Sequence, residues 1–269
     1  MLIRNDTLAG KFLAIVLSLF RLPMAIMRRM ITKFINRALL GTVSFEKMTN
    51  DVAAAGSSRR KLVVGLGNPG MDGSRHSVGM AAIAALAERL RVADQWRTDR
   101  QVLGDIIVSV YQDTQLVLLR PKLLMNVNGV SVVKAASKFS VQPEHIVLVH
   151  DELDKPLGKL GIKNGGSARG HNGVRSCVDC LHTDVMSRLR IGIGRPSENT
   201  AVDRHVLGRF SKEEQDILSS VLEQCVDLLL THLTAPQLQT SPPGGRSATC
   251  RSKERTPLVQ EAIEGQRQK

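Results

Sequence analysis

The chain has 269 residues, of which 42% are hydrophobic, which is enough to bury one good-sized core with tails beside it. Its net charge of +12 is uneven: residues 1–60 hold 10 lysines and arginines against 3 acidic residues, whereas residues 61–235 hold 21 against 19. The overall charge therefore does not mark the middle of the chain as a nucleic-acid-binding domain. An aromatic content of 3% excludes base stacking as the main device for recognising a nucleic acid.

Residues 1–60 have the pattern of a basic targeting leader followed by a linker. Between Thr7 and Phe45 six basic residues are scattered through apolar sequence without a single acidic residue, which is typical of a mitochondrial presequence. The apolar run at 12–20 is too short to span a bilayer, so we expect no stable membrane insertion. We expect mitochondrial import. A signal anchor, a leader without function and a cytoplasmic product that starts at Met48 remain alternatives.

From residue 61 onward, apolar strands alternate with helical patterns, which predicts an α/β fold. The predicted strands cover residues 61–66, 105–111, 114–121, 145–151, 158–163 and 188–196. The predicted helices cover residues 77–91, 128–139, 170–181 and 211–232. The short connection at Gln112 and Asp113 predicts an antiparallel hairpin, so the sheet is expected to be mixed. We expect one domain over 61–235, with a disordered tail at 236–269.

The first predicted strand ends in a glycine-rich turn. Gly65, Gly67 and Gly70 have the spacing of the dinucleotide-binding fingerprint. That fingerprint needs a helix that begins within the glycines, whereas Gly73 interrupts the sequence here and the helical pattern starts only near Ser77. A nicotinamide-dependent oxidoreductase is therefore a disfavoured alternative.

The C-x-x-C pair of Cys177 and Cys180 lies within a predicted helix. No second cysteine pair and no spaced histidine pair completes a zinc site. We interpret the two thiols as packing residues.

Polar side chains follow several of the predicted strands. They are Asn68, His76, Asn126, Asp151 and Asn172. This set lacks a serine or cysteine nucleophile in a recognisable elbow, and it suits direct attack by water. A carboxylate can hold the tautomer of a histidine and stabilise its imidazolium as the ring removes a proton from water. Carboxamides can donate to a developing oxyanion.

Six segments carry a specific resemblance over about residues 61–232. GLGNPG, RHSVGM, LLMNVNG, HDELD, GGSARGHNG and RLRIGIGRP occur in the order of the bacterial-type peptidyl-tRNA hydrolase family, and the chain is most similar to its animal branch. The resemblance implies a single α/β domain with a twisted mixed sheet flanked by helices. It also implies hydrolysis of the ester that joins a peptide to the 3′-terminal ribose of tRNA, with no metal or other cofactor. The implied partner is peptidyl-tRNA, and a monomer is expected.

The same resemblance assigns roles to single residues. His76 is the implied general base for water, and Asp151 keeps that histidine competent to accept the proton. Asn68 is implied to tell blocked peptidyl-tRNA from free aminoacyl-tRNA. Asn126 and Asn172 are implied to bind the acyl end of the substrate and orient water.

The resemblance also places residues around this centre. Leu124 and Met125 line the acyl-binding loop. Lys163 is expected to face the tRNA phosphates, and Arg188 and Arg190 are expected to extend that surface, so that affinity falls with salt.

Two departures from the family pattern stand beside the catalytic histidine. Four residues separate Gly70 from Arg75 where bacterial members usually have six, and their tyrosine is missing. Ser77 replaces the common asparagine after the histidine. A catalytically silent RNA-binding accessory protein on the same fold remains an alternative, and HDELD alone would also fit a carboxylate cluster for a metal.

Overall fold

A seven-stranded mixed sheet organises the computed structural model, which describes residues 24–40, 59–196 and 200–235. Its strands are β1 (Arg59–Gly65), β2 (Arg97–Asp99), β3 (Gly104–Tyr111), β4 (Thr114–Pro121), β5 (Ile146–Glu152), β6 (Leu160–Asn164) and β7 (Ser187–Gly192). In space they are ordered β2-β3-β4-β1-β5-β7-β6. The expected α/β class and the single mixed sheet with flanking helices are thus confirmed.

The helices of the described residues are α1 (Met24–Leu40), α2 (Val78–Arg89), α3 (Gly129–Lys138), α4 (Asn172–Leu181), α5 (Val202–Leu207) and α6 (Lys212–Thr234). None of the described helices is long and apolar enough to cross a membrane. The chain divides into a unit of residues 1–235 and a second unit of residues 236–269. The second unit and the apolar run at 12–20 lie outside the described residues.

The centre of the sheet is parallel and its margins are antiparallel. The four adjacent strands β4, β1, β5 and β7 are parallel to one another. At one margin β3 pairs antiparallel with both β4 and β2, and at the other margin β6 pairs antiparallel with β7. The predicted hairpin joins β3 to β4, with Tyr111 opposite Thr114. Gln112 and Asp113 between them have φ of 44° and 59°, as a two-residue turn with two left-handed positions requires.

The sheet buries one hydrophobic core on each face. On β1, Leu62 and Val64 belong to the core that α3 and α4 cover, whereas Val63 between them belongs to the core covered by α2 and α6. Cys177 and Cys180 pack into the first of these cores, and burial raises the pKa of the Cys180 thiol to about 12. Both thiols therefore act as apolar packing groups, as predicted.

Helix α2 packs tightly onto the carboxyl ends of β1 and β5. A Cβ atom at Gly79 would collide with the carbonyl oxygen of Val149, so only glycine allows this approach. The helix begins at Val78, after a 3₁₀ turn at Arg75–Ser77. No helix therefore begins within the glycines of residues 65–70, which removes the anion site that a dinucleotide would need.

Some elements differ from the sequence prediction. The short strand β2 and the helices α1 and α5 were not predicted. The last strand ends at Gly192 instead of residue 196, because Gly194 leaves the extended conformation with φ of 70°.

Candidate active site

The carboxyl ends of the parallel strands bring the predicted polar residues to one edge of the sheet. Asp151 lies within the last two residues of β5, and His76 lies in the 3₁₀ turn that precedes α2. This turn contacts β5 directly. Loop segments that are far apart in the sequence thus meet around the His76 side chain.

His76 and Asp151 form a close buried pair. The Nδ1 atom of His76 lies 2.9 Å and 3.0 Å from the two carboxylate oxygens of Asp151. His76 is 9% exposed and Asp151 is 4% exposed. Because the ionised carboxylate only accepts hydrogen bonds, Nδ1 must donate, and Nε2 carries the lone pair of the neutral ring. Among the described residues we find no hydrogen-bond partner for this Nε2 atom.

His171 is a third member of the cluster, and the sequence interpretation gave it no catalytic role. Its Nε2 atom lies 2.9 Å from Oδ1 of Asp151. Its Nδ1 atom accepts hydrogen bonds from the backbone N–H groups of Gly173 and Val174, so His171 is the N-cap of α4. These backbone donors fix the tautomer, since the proton of a neutral ring must then lie on Nε2.

The cluster holds Asp151 as an anion. Burial alone would raise the pKa of Asp151, but the hydrogen bonds from His171 and His76 outweigh it and hold that pKa well below its usual range. His150 is buried beside them, and its ring packs edge-on against that of His171. Burial lowers the pKa of His150 to about 3, so this ring stays neutral.

His76, Asp151 and His171 also have the composition of a metal site, since their ligand atoms lie within 4.8 Å of one another. The bonding of His171 argues against such a site. Its Nδ1 already accepts two N–H groups, so coordination through Nε2 would require a doubly deprotonated imidazolate. The cluster is better suited to sharing protons than to binding an ion.

Asn68 connects the loop after β1 to the loop after β4. Its side-chain oxygen accepts a hydrogen bond of 2.8 Å from the backbone N–H of Met125. This bond fixes the orientation of the carboxamide, and the amino group of Asn68 has no hydrogen-bond partner among the described residues. Asn68 is 7% exposed, so this donor lies in a largely dehydrated position.

The predicted acyl-binding residues lie on two adjoining segments. Asn126 is exposed in a 3₁₀ turn at Met125–Val127, which packs against the beginning of α4, where Asn172 is also exposed. Met125 is buried and its sulfur fits against Gly173, where a Cβ atom would collide with it. Leu124 precedes the turn and is 62% exposed.

The three predicted phosphate-binding residues differ in their surroundings. Lys163 on β6 is partly exposed, and its side chain lies over Gly166; among the described residues it has no ion-pair partner. Arg190 on β7 is partly exposed and pairs with Glu152 at 3.3 Å.

The expectation that Arg188 extends a tRNA-facing surface does not fit its position. Arg188 is only 2% exposed, and its guanidinium donates to the backbone carbonyl groups of Gly166 and Ser167. It thereby supports the loop that leads to His171. A buried guanidinium must be hydrogen-bonded within the protein, and these two carbonyls provide that bonding. Arg188 is therefore not positioned to bind phosphates in the solvent.

An α/β domain that sets a carboxylate-held histidine among carboxamides at a sheet edge defines a hydrolase-type site. A family model described as peptidyl-tRNA hydrolase matches residues 62–241. The chain therefore belongs to the peptidyl-tRNA hydrolase family.

Individual relatives agree with this assignment. A mouse protein named probable peptidyl-tRNA hydrolase is 58% identical over 177 residues, which is 66% of this chain and 87% of the relative. A peptidyl-tRNA hydrolase from Synechococcus sp. (strain CC9902) is 45% identical over 62% of this chain and 83% of its own length. The crystal structure of an Acinetobacter baumannii peptidyl-tRNA hydrolase, an Arg119Gln mutant, is similar with a TM-score of 0.60 and 31% identity, over 66% of this chain and 91% of that one.

Proposed function

We propose that this enzyme hydrolyses the ester between the peptide and the 3′-terminal ribose of peptidyl-tRNA, using water activated by His76. The observation that carries the proposal is the bonding of Nδ1 of His76 to both oxygens of Asp151. This bonding keeps one proton on Nδ1, so that Nε2 is the basic nitrogen available to a water molecule.

The reaction then follows from the positions of the protons. Nε2 of His76 takes a proton from water as the water oxygen attacks the ester carbonyl carbon. The π electrons of the C=O bond move to the carbonyl oxygen, which becomes an oxyanion. The resulting imidazolium is stabilised by Asp151, which remains ionised because its pKa is held low. As the tetrahedral intermediate collapses, the C–O bond to the ribose breaks and the imidazolium returns its proton to the ribose oxygen. These steps need neither a covalent enzyme intermediate nor a metal.

Asn68 supplies a physical basis for selecting a blocked amino group. With its oxygen bound to the N–H of Met125, its amino group can only donate. Such a donor can bind the carbonyl oxygen of a peptide or N-acyl group. It cannot bind a free ammonium group, because the ammonium is also a hydrogen-bond donor. In the same proposal Asn126 and Asn172 bind the acyl end and orient the water, and the exposed Leu124 offers apolar contact to the peptide.

We assign the tRNA phosphates to Lys163, with Arg190 at the margin of the same surface. A lysine without an ion-pair partner among the described residues can bind a phosphate without first breaking a protein contact. Arg190 must share its charge with Glu152, so its contribution is expected to be smaller. The proposed enzyme acts on peptidyl-tRNA as a monomer.

One experiment tests the proposed reaction directly. The full chain is incubated with an N-acetylated aminoacyl-tRNA, with the unblocked ester as the matched control, and the release of tRNA is measured. Rapid release from the blocked ester alone supports the proposal. Binding of both tRNAs without any release would identify a catalytically silent RNA-binding protein.

We also propose that residues 1–60 direct import into mitochondria, on the strength of their basic, acid-free composition. A fusion of residues 1–60 to a fluorescent protein should colocalise with mitochondria. A fusion that stays diffuse in the cytosol would contradict this proposal.

A further inference from the structure

Two buried hydroxyl groups stand next to the catalytic histidine. Ser77 follows His76 in the chain and Ser74 begins the turn, and both are 2% exposed. Their Oγ atoms lie 3.1 Å apart, and the backbone N–H of Ser77 also donates to the carbonyl oxygen of Ser74. The two serines thus form a closed unit that is shielded from solvent.

This unit is bonded to the loop that carries Asn68. The backbone N–H of Asn68 donates to Oγ of Ser77 at 3.1 Å. The side-chain oxygen of the same Asn68 accepts from the N–H of Met125 at 2.8 Å. A continuous series of hydrogen bonds therefore runs from Ser74 through Ser77 and Asn68 to the turn that carries Asn126. It connects the histidine turn with the two carboxamide loops.

We propose that Ser77, supported by Ser74, is a positioning residue that fixes Asn68 and thereby sets the selectivity for blocked substrates. The inference rests on the proposed hydrolysis, because selectivity is defined only for that reaction. Oγ of Ser77 is the partner of the Asn68 backbone N–H among the described residues. Without it a buried donor would be unpaired, and the loop could satisfy that donor only by moving.

A moving loop would misplace the carboxamide of Asn68, whereas neither hydroxyl group is hydrogen-bonded to His76 or Asp151 among the described residues. Ser77 therefore acts through Asn68 and not on the reacting atoms. An asparagine at this position would also offer a side-chain oxygen to the Asn68 N–H, whereas an alanine would not.

The experiment compares Ser77→Ala, Ser74→Ala and Ser77→Asn in the full chain. The matched control is Ser131→Ala, which also removes a buried serine hydroxyl. Ser131 lies on α3, and its hydroxyl donates to the backbone carbonyls of Val102 and Leu103. For each variant, kcat and KM are measured with N-acetylated and unblocked aminoacyl-tRNA. Hydrogen exchange of the Asn68 backbone amide is followed by NMR.

For Ser77→Ala we expect the ratio of kcat/KM between blocked and unblocked substrate to fall by about tenfold, the loss of one well-formed hydrogen bond. Most of the change should be in KM for the blocked substrate, and the Asn68 amide should exchange faster. Ser77→Asn should restore both quantities. Ser74→Ala should change them in the same direction but less, because the acceptor on Ser77 remains.

An unchanged substrate ratio in Ser77→Ala, or an equal change in Ser131→Ala, would overturn the proposal. If Ser77→Ala does not fold, Ser74→Ala decides by the same two readouts. The amide exchange of Asn68 is independent of turnover: unchanged exchange in Ser77→Ala refutes the positioning role even in an active enzyme. If the Asn68 amide exchanges faster in Ser77→Ala but the wild type hydrolyses neither substrate, the proposed reaction is contradicted.

Discussion

His171 donates from Nε2 to Oδ1 of Asp151 across 2.9 Å, the same oxygen that lies 2.9 Å from Nδ1 of His76. One carboxylate is thus held between two imidazole rings. The second ring is itself anchored through Nδ1 to the first turn of α4. The orientation of the proposed catalytic pair therefore depends on a helix N-terminus that lies 20 residues after Asp151.

Two variants of His171 separate the effects of its two contacts. His171→Ala removes both the hydrogen bond to Asp151 and the helix cap, whereas His171→Asn removes the first and retains a good capping side chain. Both variants should lower kcat, because Asp151 loses one of its donors. Chemical unfolding should find the alanine variant less stable than the asparagine variant by about 1 kcal/mol. Equal stabilities of the two variants would show that His171 does not cap α4 in solution.

Asp151→Asn tests the electrostatic part of the proposal. A neutral amide cannot stabilise the imidazolium, and it can also present an N–H to His76 and reverse the tautomer. We expect kcat to fall by at least roughly 10²-fold with little change in the affinity for tRNA. Steady-state kinetics and a separate binding measurement give the two values. A loss confined to KM would mean that Asp151 acts in substrate binding.

His150 predicts how stability depends on pH. Its pKa is lowered in the folded protein from 6.5 to about 3 by burial. Between these values the unfolded chain binds a proton that the folded chain does not. Above about pH 6.5, His150 is neutral in both states and does not lower the free energy of unfolding. Below that pH the free energy of unfolding falls by about 1.4 kcal/mol per pH unit because of this residue.

The measurement is urea unfolding of the wild type and His150→Asn between pH 7 and pH 4.5. The slope of unfolding free energy against pH should be smaller in the variant. Burial also lowers the pKa of His232, so the difference between the two proteins is the relevant quantity. Asp151, whose pKa is lowered, contributes its acid sensitivity only below about pH 4. Parallel slopes in the two proteins would contradict a neutral buried His150.

Lys163→Gln tests the phosphate surface. The variant should bind tRNA more weakly, and the slope of log K against log salt should decrease by about 1 in magnitude, as for the loss of one phosphate contact. Lys212→Gln, which changes an exposed lysine at the first position of α6, serves as the control and should retain the wild-type slope. Identical slopes for wild type and Lys163→Gln would place the phosphates elsewhere.

The sequence was sufficient for the parts of the fold that depend on local patterns. The apolar strand β1, the hairpin at Gln112 and the long helix α6 all follow from residue patterns and turn chemistry. His76 and Asp151 could be paired because Asp151 ends a predicted strand, His76 follows another, and the motif order resembles a known family. The pairing itself needed the register of β5 beside β1.

What the sequence did not indicate depends on contacts between distant segments. The predicted helix over residues 170–181 included His171 without giving it a role. In the structure His171 caps α4, and its contact with Asp151 joins segments that the sequence pattern does not connect. Arg188 looked like an exposed basic residue, because its charge is visible in the sequence whereas the loop carbonyls that surround it are not. Helix α5 is six residues long and lacks a buried residue, so it leaves no apolar pattern.

In the proposed reaction, Nε2 of His76 removes a proton from the attacking water. The decisive measurement is single-turnover hydrolysis of N-acetylated aminoacyl-tRNA by the full-length wild type and His76→Ala, with tRNA binding measured in parallel. We expect the rate of His76→Ala to be lower by roughly 10²- to 10⁴-fold with binding preserved. A variant that cleaves the ester at the wild-type rate would contradict it.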